Sequence, residues 1–353
     1  MRILIATDAW RPQVNGVVRT LERTSLALKE RGHEVHFLSG GDRRTWPLPF
    51  YPEIRLTFLS PDEAGAQIVG ARPDAIYIAT EGPIGWATRR WCLRNKIPFT
   101  TGFHTKLADY TALRIPFPGV EQASWSFLRQ FHKPSRCVLT PTPSIAKELT
   151  GRGFPNTRSW TRGVDHELFK PGPRDHFDLP RPVMLVAGRV APEKNLEAFL
   201  KLDLPGTKVV VGDGPSLELL KRRYPAAVFT GYAFDHDLVR MLQSADVFVF
   251  PSRTDTFGLV MIEAMACGTP VAAFAVPSPV DVVAEGLSGA VDADLGKAIN
   301  RALTLDRGNV HAYARNFTWA ATADLFERHL MKINWSAISP PLPRTSPSPF
   351  PLR

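Results

Sequence analysis

Short apolar runs of four or five residues alternate with segments of helical spacing along most of this chain, and the alternation runs through twice. The first series opens with Arg2 to Ala6, continues with Val18, Leu21, Ser25 and Leu28 at helical spacing, and returns to an extended run at Glu34 to Leu38. Gly32 stands where a helix C-cap belongs. Ala75 to Ile78 reads as a strand, Trp86 to Arg94 as a helix, and Phe99 to Thr101 as another strand. The second series supplies strands at Val183 to Ala187, Lys208 to Gly212, Val228 to Thr230, Val247 to Phe250 and Pro270 to Phe274, with helices near Leu196, Leu217, Leu238 and Leu259. Apolar strands joined by helices build a parallel sheet covered on both faces, so the pattern predicts an α/β fold with two doubly wound domains. Ligands of such folds collect outside the carboxyl ends of the strands, and the cleft between the domains is the expected site.

The interruption is rich in proline. Between His166 and Pro182 four prolines lie among scattered charges with no period of 2 or 3.6, which reads as an interdomain linker. The expected organisation is a first domain at 1–168, a linker at 169–182, and a second domain at 183–318. A terminal helix at 319–335 is expected to pack towards the first domain, and the Pro/Ser-rich tail at 336–353 to be disordered. A chain of 353 residues has room for two cores, which excludes a small disulfide scaffold or a short repeat module.

Cys92, Cys137 and Cys267 have no metal-ligand or redox spacing and read as reduced, buried and inert. The apolar run at the N-terminus is only four residues long, short of a signal-peptide core, and no stretch approaches the ~20 apolar residues of a membrane span. The expectation is a cytoplasmic protein. Its net charge of +9 favours an acidic partner: membrane lipid, nucleic acid or a phosphorylated metabolite.

The most informative stretch begins Phe250-Pro-Ser-Arg-Thr-Asp-Thr-Phe-Gly and continues to Glu263-Ala-Met-Ala-Cys-Gly-Thr-Pro. A strand ends at Phe250 and a helix starts near Gly258, so the N–H groups of Phe257, Gly258, Leu259 and Val260, next to Thr256, would form an anion site suited to phosphate. Glu263 lies among apolar neighbours in that helix and needs a partner, for which vicinal ribose hydroxyls would serve. Asp255, eight positions earlier, would face a group just beyond the phosphates. A plain helix cap with a solvated glutamate is the competing explanation. Ala187-Gly188-Arg-Val-Ala-Pro-Glu-Lys194 also lies at a strand end, where Arg189 and Lys194 can converge on one diphosphate. The competing explanation is an ordinary surface loop. Gly212-Asp-Gly-Pro lacks the third glycine of a dinucleotide-binding turn and suits a tight nucleotide-side loop.

In the first domain, Asn15-Gly16-Val17 precedes a helix and would let backbone approach a ligand, or simply form a tight turn. Glu81, in Thr80-Glu-Gly-Pro-Ile-Gly, and His104, in Thr101-Gly-Phe-His, both follow strand ends and face the expected cleft, although a lone histidine is as readily structural. Asp235-His-Asp237 and Asp292-Ala-Asp294 match the D-x-D pattern that holds a divalent metal under a diphosphate, but Asp235 opens a helix and reads as a cap. There is no P-loop, H-E-x-x-H, G-x-S-x-G or paired C-x-x-C.

With these residues in place the chain resembles the retaining glycosyltransferases of GT-B architecture, in the large family four that includes bacterial α-mannosyltransferases and glycolipid synthases. The resemblance covers about residues 1–330, and its most specific part is the run from Pro251 to Pro270. It implies two Rossmann-like domains facing a cleft, with a C-terminal helix crossing back to the first. Asp255 takes the first position of the family's Glu-x7-Glu motif, with a reach one methylene shorter, and Glu263 the second. By resemblance Arg189 and Lys194 bind the diphosphate, Gly16 belongs to the glycine-bearing first loop, and His104 lies near the donor sugar. The implied reaction is same-face attack by an acceptor hydroxyl as the nucleotide diphosphate departs, with retention of configuration and no metal or other cofactor. Domain closure would exclude water.

For the acceptor, Trp125, Arg129 and Lys133 share one helix face beside Phe127 and Phe131, and Trp86, Arg89, Arg90, Trp91 and Arg94 form a second basic-aromatic cluster. Such faces bind anionic membrane surfaces, unless the aromatics are core and the cations merely solvated. RNA binding would use the same residue types, but no recognised module is present, and no nucleic-acid partner is expected. The expected function is transfer of a hexose or hexuronic acid from a UDP-sugar to a lipid such as diacylglycerol, by a protein held peripherally at the inner face of the membrane. A GDP-mannose-dependent α-mannosyltransferase is the close second. A nucleotide-sugar-binding protein without turnover and a hexose epimerase are the readings from other classes.

Overall fold

The structure, a computed structural model, describes residues 1–337 apart from 14, 42, 49, 50 and 116. The tail expected to be disordered lies, from residue 338 on, outside the described residues. The chain divides into two compact units, one of Met1–Thr161 with the stretch from Ala320 onward, the other Arg162–Trp319.

The first unit is built on strands β1 (Arg2–Ala6), β2 (Glu34–Leu38), β5 (Ala75–Ile78), β6 (Thr100–Gly102), β7 (Cys137–Thr140) and β8 (Thr157–Ser159), with a separate hairpin of β3 (Trp46–Leu48) and β4 (Tyr51–Leu56). The order across its sheet is β2-β1-β5-β6-β7-β8, with every pairing parallel. The second unit carries β9 (Val183–Ala187), β10 (Thr207–Val211), β11 (Val228–Gly231), β12 (Val247–Phe250), β13 (Val271–Phe274) and β14 (Gly289–Asp292), in the parallel order β11-β10-β9-β12-β13-β14. Each unit is a Rossmann-like α/β layer structure.

Successive side chains of a strand point to opposite faces, and helices cover both faces here, so the strands are apolar throughout. In the second unit Leu185, Val209, Val211, Phe248 and Phe250 enter one core, while Met184, Val186, Val210, Val247 and Val249 enter the other. The first unit follows the same rule, with Leu4, Ala6, Ile76 and Ile78 in one cluster.

The proline-rich stretch and the D-x-D pairs differ from expectation. The proline-rich stretch at 169–182 is not a free linker, because Phe169 is 1% exposed and Leu168, Phe177 and Leu179 pack with it on the second unit's core. The second unit begins earlier still, and Val164 N donates to Phe317 O at 3.2 Å. The basic-aromatic helix spans Val120–His132. The last helix, Trp319–His329, joins the first unit's core, with Trp160 Nε1 donating to Thr322 O at 3.0 Å and the Phe326 ring 4.9 Å from both Tyr77, edge-on, and Trp160, tilted. Of the D-x-D pairs, Asp294 caps the helix Leu295–Ala302 and Asp292 pairs with Arg301 at 2.8 Å. Asp235 is the first residue of its helix, and the cap residue is Phe234, with no side-chain bond. The three cysteines are free and buried, and burial pushes the Cys267 thiol up to about 12.

Candidate active site

The sheet of the second unit runs outward in two directions from β9 and β12, and ligands of such sheets gather beyond the carboxyl ends at this switch. The loops that leave β9 and β12 carry Arg189, Lys194 and Asp255. Lys194 Nζ lies 2.6 Å from Asp255 Oδ1, and the two side chains are 27% and 13% exposed. Arg189 lies 3.6 Å from Glu193, itself 3% exposed in its side chain. The loops are stitched together by Asn195 Nδ2 donating to Pro251 O at 3.0 Å and by Ser252 Oγ and Thr254 Oγ1 donating to Glu193 O, each at 3.2 Å. Asp255 Oδ2 is buried and makes no hydrogen bond among the described residues.

Glycine shapes this surface. A side chain at Gly212, whose φ is +137°, would place its Cβ 1.9 Å from Gly188 O, so the turn after β10 presses directly on the turn after β9. Gly258 has φ +80° and lies against the Phe250 ring, where a Cβ would approach to 2.6 Å. It is the cap residue of the helix Leu259–Ala266, which begins one residue later than expected and has no side-chain cap. Thr256 and Phe257 are buried before it, and Glu263 is 4% exposed within it. The second-unit residues expected at the nucleotide site are carried by the turns after β9, β10 and β12 and by the helix Leu259–Ala266.

In the first unit the switch falls between β1 and β5. Asp8 follows β1, Glu81 follows β5 and His104 follows β6. Asp8 is held by Thr80 Oγ1, Ile84 N and Gly85 N at 2.8, 2.9 and 3.4 Å, which fixes it under the start of the helix Pro83–Arg94. Burial raises its carboxyl to about 6, with the Glu81 charge adding to the rise and these hydrogen bonds opposing it. Glu81 Oε1 lies 3.2 Å from His132 Nε2. His104 Nε2 lies 2.8 Å from the Tyr77 hydroxyl, with its ring edge-on to Trp160. Gly16 opens the helix Gly16–Glu30, whose cap is Asn15 Oδ1 accepting from Val17 N and Val18 N.

Asp8, Tyr77 and His132 were not singled out by sequence. A carboxylate directly after the first strand run was the available signal for Asp8, whereas Tyr77 and His132 sit within apolar patterns that give none.

The basic-aromatic clusters are largely structural. Trp91 and Trp125 are 6% and 4% exposed. Trp91 fills the space beside Gly65, where a Cβ would meet its indole at 2.0 Å, and Arg94 pairs with Asp62 at 3.0 Å. Arg89 donates to Phe131 O and Gln130 O at 2.9 and 2.8 Å, joining two helices with its guanidinium over Trp86. Trp91, Trp125 and Arg89 are thus removed from the expected lipid-facing set, because packing and carbonyl bonding engage them. Arg90, Arg129 and Lys133 remain exposed, with Phe127 at 38%. Among the described residues no helix is long and apolar enough to cross a membrane.

Residues 14–168 match the model of Glycosyltransferase Family 4 and residues 173–316 that of Glycosyl transferases group 1. A GDP-mannose-dependent alpha-mannosyltransferase of Mycolicibacterium smegmatis is 30% identical over 317 residues, which cover 82% of this chain and 84% of that protein. The chain belongs to the family 4, group 1 glycosyltransferases. This glycosyltransferase is also 25% identical over 346 residues to the alpha-monoglucosyldiacylglycerol synthase of Streptococcus pneumoniae, covering 86% of the one and 78% of the other. Its GT-B fold matches the sucrose-phosphate synthase of Thermosynechococcus elongatus at a TM-score of 0.72, with 21% identity over 93% and 97% of the two chains.

Proposed function

We propose that this glycosyltransferase moves a hexose from a nucleotide-diphosphate sugar to a lipid acceptor, with retention of configuration and without a metal, and that GDP-mannose is its donor. The observation that carries the reading is the Lys194–Asp255 pair at the switch point of the second sheet. An ammonium has three donors, so Lys194 can hold Asp255 and still meet phosphate oxygens. Asp255 Oδ2, buried without a partner among the described residues, suits a sugar hydroxyl. Arg189 is assigned with Lys194 to the charge of the leaving diphosphate, the uncapped helix at Gly258 to its phosphate, and Glu263 to the ribose. His104 is assigned to the sugar or its developing charge, and Glu81 to the acceptor.

The name of the mycolicibacterial relative, which matches over most of both chains, supports mannose and guanosine over the UDP-sugar favoured by sequence. The diacylglycerol synthase of Streptococcus pneumoniae supports a lipid acceptor and keeps a UDP-sugar as the second reading. Arg90, Phe127, Arg129 and Lys133 are proposed to meet an anionic lipid surface from the aqueous side. Purified protein offered GDP-mannose, UDP-glucose, UDP-galactose and UDP-glucuronic acid with phosphatidylinositol or diacylglycerol vesicles tests the reading. A mannolipid from GDP-mannose supports it, product from UDP donors alone promotes the second, and absence of product from every donor refutes both.

A further inference from the structure

We propose that His132 is a positioning residue that fixes the Glu81 carboxylate for the acceptor hydroxyl, an inference that rests on the acceptor-side assignment of Glu81.

His132 ends the helix Val120–His132 and is wholly buried. Phe131, Phe154 and Phe103 surround its ring at 5.0, 5.6 and 6.2 Å. A polar ring in such a cage is unfavourable unless both nitrogens are paired. Both are: Nδ1 lies 2.9 Å from Thr101 Oγ1, and Nε2 lies 3.2 Å from Glu81 Oε1. An ionised carboxylate only accepts, so Nε2 carries hydrogen and donates to Glu81. In the neutral ring Nδ1 then accepts from the Thr101 hydroxyl, and the two bonds fix both tautomer and ring orientation.

The helix end that carries His132 is itself held. The Arg89 bonds to Gln130 O and Phe131 O take up two terminal carbonyls immediately before it. At the other end of the chain of contacts, Glu81 stands beside the buried Asp8, whose like charge would push a free carboxylate away. His132 is the group that opposes this. Glu81 Oε2 makes no hydrogen bond among the described residues, so one oxygen is fixed and the other is left to accept from a substrate hydroxyl. The line Thr101, His132, Glu81 runs along the carboxyl edge of the first sheet from β6 to the loop after β5, beside the switch point.

The test uses the full chain and whichever donor it turns over. Glu81→Gln, His132→Phe, their double variant, His132→Gln and Thr101→Val are compared for acceptor and donor kinetics and for Tm. Phenylalanine suits the aromatic cage, and glutamine can still donate to Glu81. We expect His132→Phe and Glu81→Gln each to lower kcat/KM for the acceptor by about tenfold, as for a lost hydrogen bond to a charged group, with donor KM within about twofold of wild type. The double variant is expected to be no worse than Glu81→Gln, and His132→Gln to recover part of the loss. His132→Phe at the wild-type acceptor kcat/KM beside an impaired Glu81→Gln overturns the role of His132 alone, as do multiplying losses in the double variant. An unimpaired Glu81→Gln overturns the acceptor-side assignment as well. Should His132→Phe not fold, Thr101→Val decides: a raised acceptor KM at unchanged donor KM supports the role, and unchanged acceptor kinetics overturns it.

Discussion

Lys194 Nζ is 2.6 Å from Asp255 Oδ1, a contact that joins the loop after one strand to the loop after its neighbour. Under the proposed assignment the lysine has two functions at once. It offsets the desolvation of a carboxylate only 13% exposed, and it presents a cation where a diphosphate would lie.

Lys194→Ala should therefore reduce both turnover and stability. The expected loss in kcat is about 10²–10³-fold, the range for one preorganised donor to developing charge, with a fall in Tm from the stranded Asp255. Adding Asp255→Ala should restore Tm without restoring turnover, and Asp255→Glu should retain part of the activity. Paired melting curves and initial rates separate the two functions; recovery of turnover in the double variant would contradict them.

Gly212→Ala places a methyl on a φ of +137° and 1.9 Å from Gly188 O, so the turns carrying the site must separate. The expected cost is about 1–3 kcal/mol for the strained backbone alone. Donor KM should rise along with the loss of stability. Gly70→Ala, inside the helix Pro61–Ala71 and meeting nothing within 4 Å, is the control and should leave donor KM unchanged while stability rises by up to about 1 kcal/mol. Chemical denaturation and donor titration check the contrast.

The Asp8 carboxyl, raised from 3.8 to about 6, gives a pH dependence of definite sign. A folded pKa above the unfolded value means that protonation stabilises the fold. That contribution is complete below the unfolded value of 3.8 and is lost as pH rises through about 6. That rise corresponds to at most about 3 kcal/mol. Asp8→Asn lacks the titration, so its stability relative to wild type should improve between about pH 4 and pH 7 by up to that amount. Denaturant melts at several pH values measure the difference, and a constant difference would contradict the assignment.

Trp91 and Trp125 separate packing from lipid binding. Alanine at either position should cost about 3–5 kcal/mol, as for a large aromatic removed from a core. Arg129→Ala with Lys133→Ala should instead leave Tm nearly unchanged and weaken sedimentation with anionic vesicles at low salt. Equal binding by this variant and wild type would dismiss the exposed cations as a lipid contact.

The sequence displayed the elements whose chemistry is continuous along the chain. Val183–Ala187 and Val247–Phe250 are unbroken apolar runs and stand where the pattern puts them, because both faces of a parallel strand are buried. The Asp255 and Glu263 spacing was visible for the same reason, since loop and helix follow one strand without a break. What depended on contacts between distant segments was hidden. Proline suggested a linker at 169–182, yet Phe169 is buried in the second unit's core. Aromatics at helical spacing suggested a membrane face at Trp125, whereas that face packs on Phe103 and Phe154. The Glu81–His132 contact spans 51 residues and no local period announces it.

The most direct measurement is calorimetric titration of GDP into wild type and an Arg189→Ala, Lys194→Ala, Asp255→Ala variant whose fold is checked by Tm. If the second unit holds the nucleotide diphosphate on these cations, wild type binds and the folded variant binds at least about a hundredfold more weakly, as expected for loss of two charge-assisted contacts. Equal affinity in the two proteins would place the diphosphate elsewhere and contradict the account.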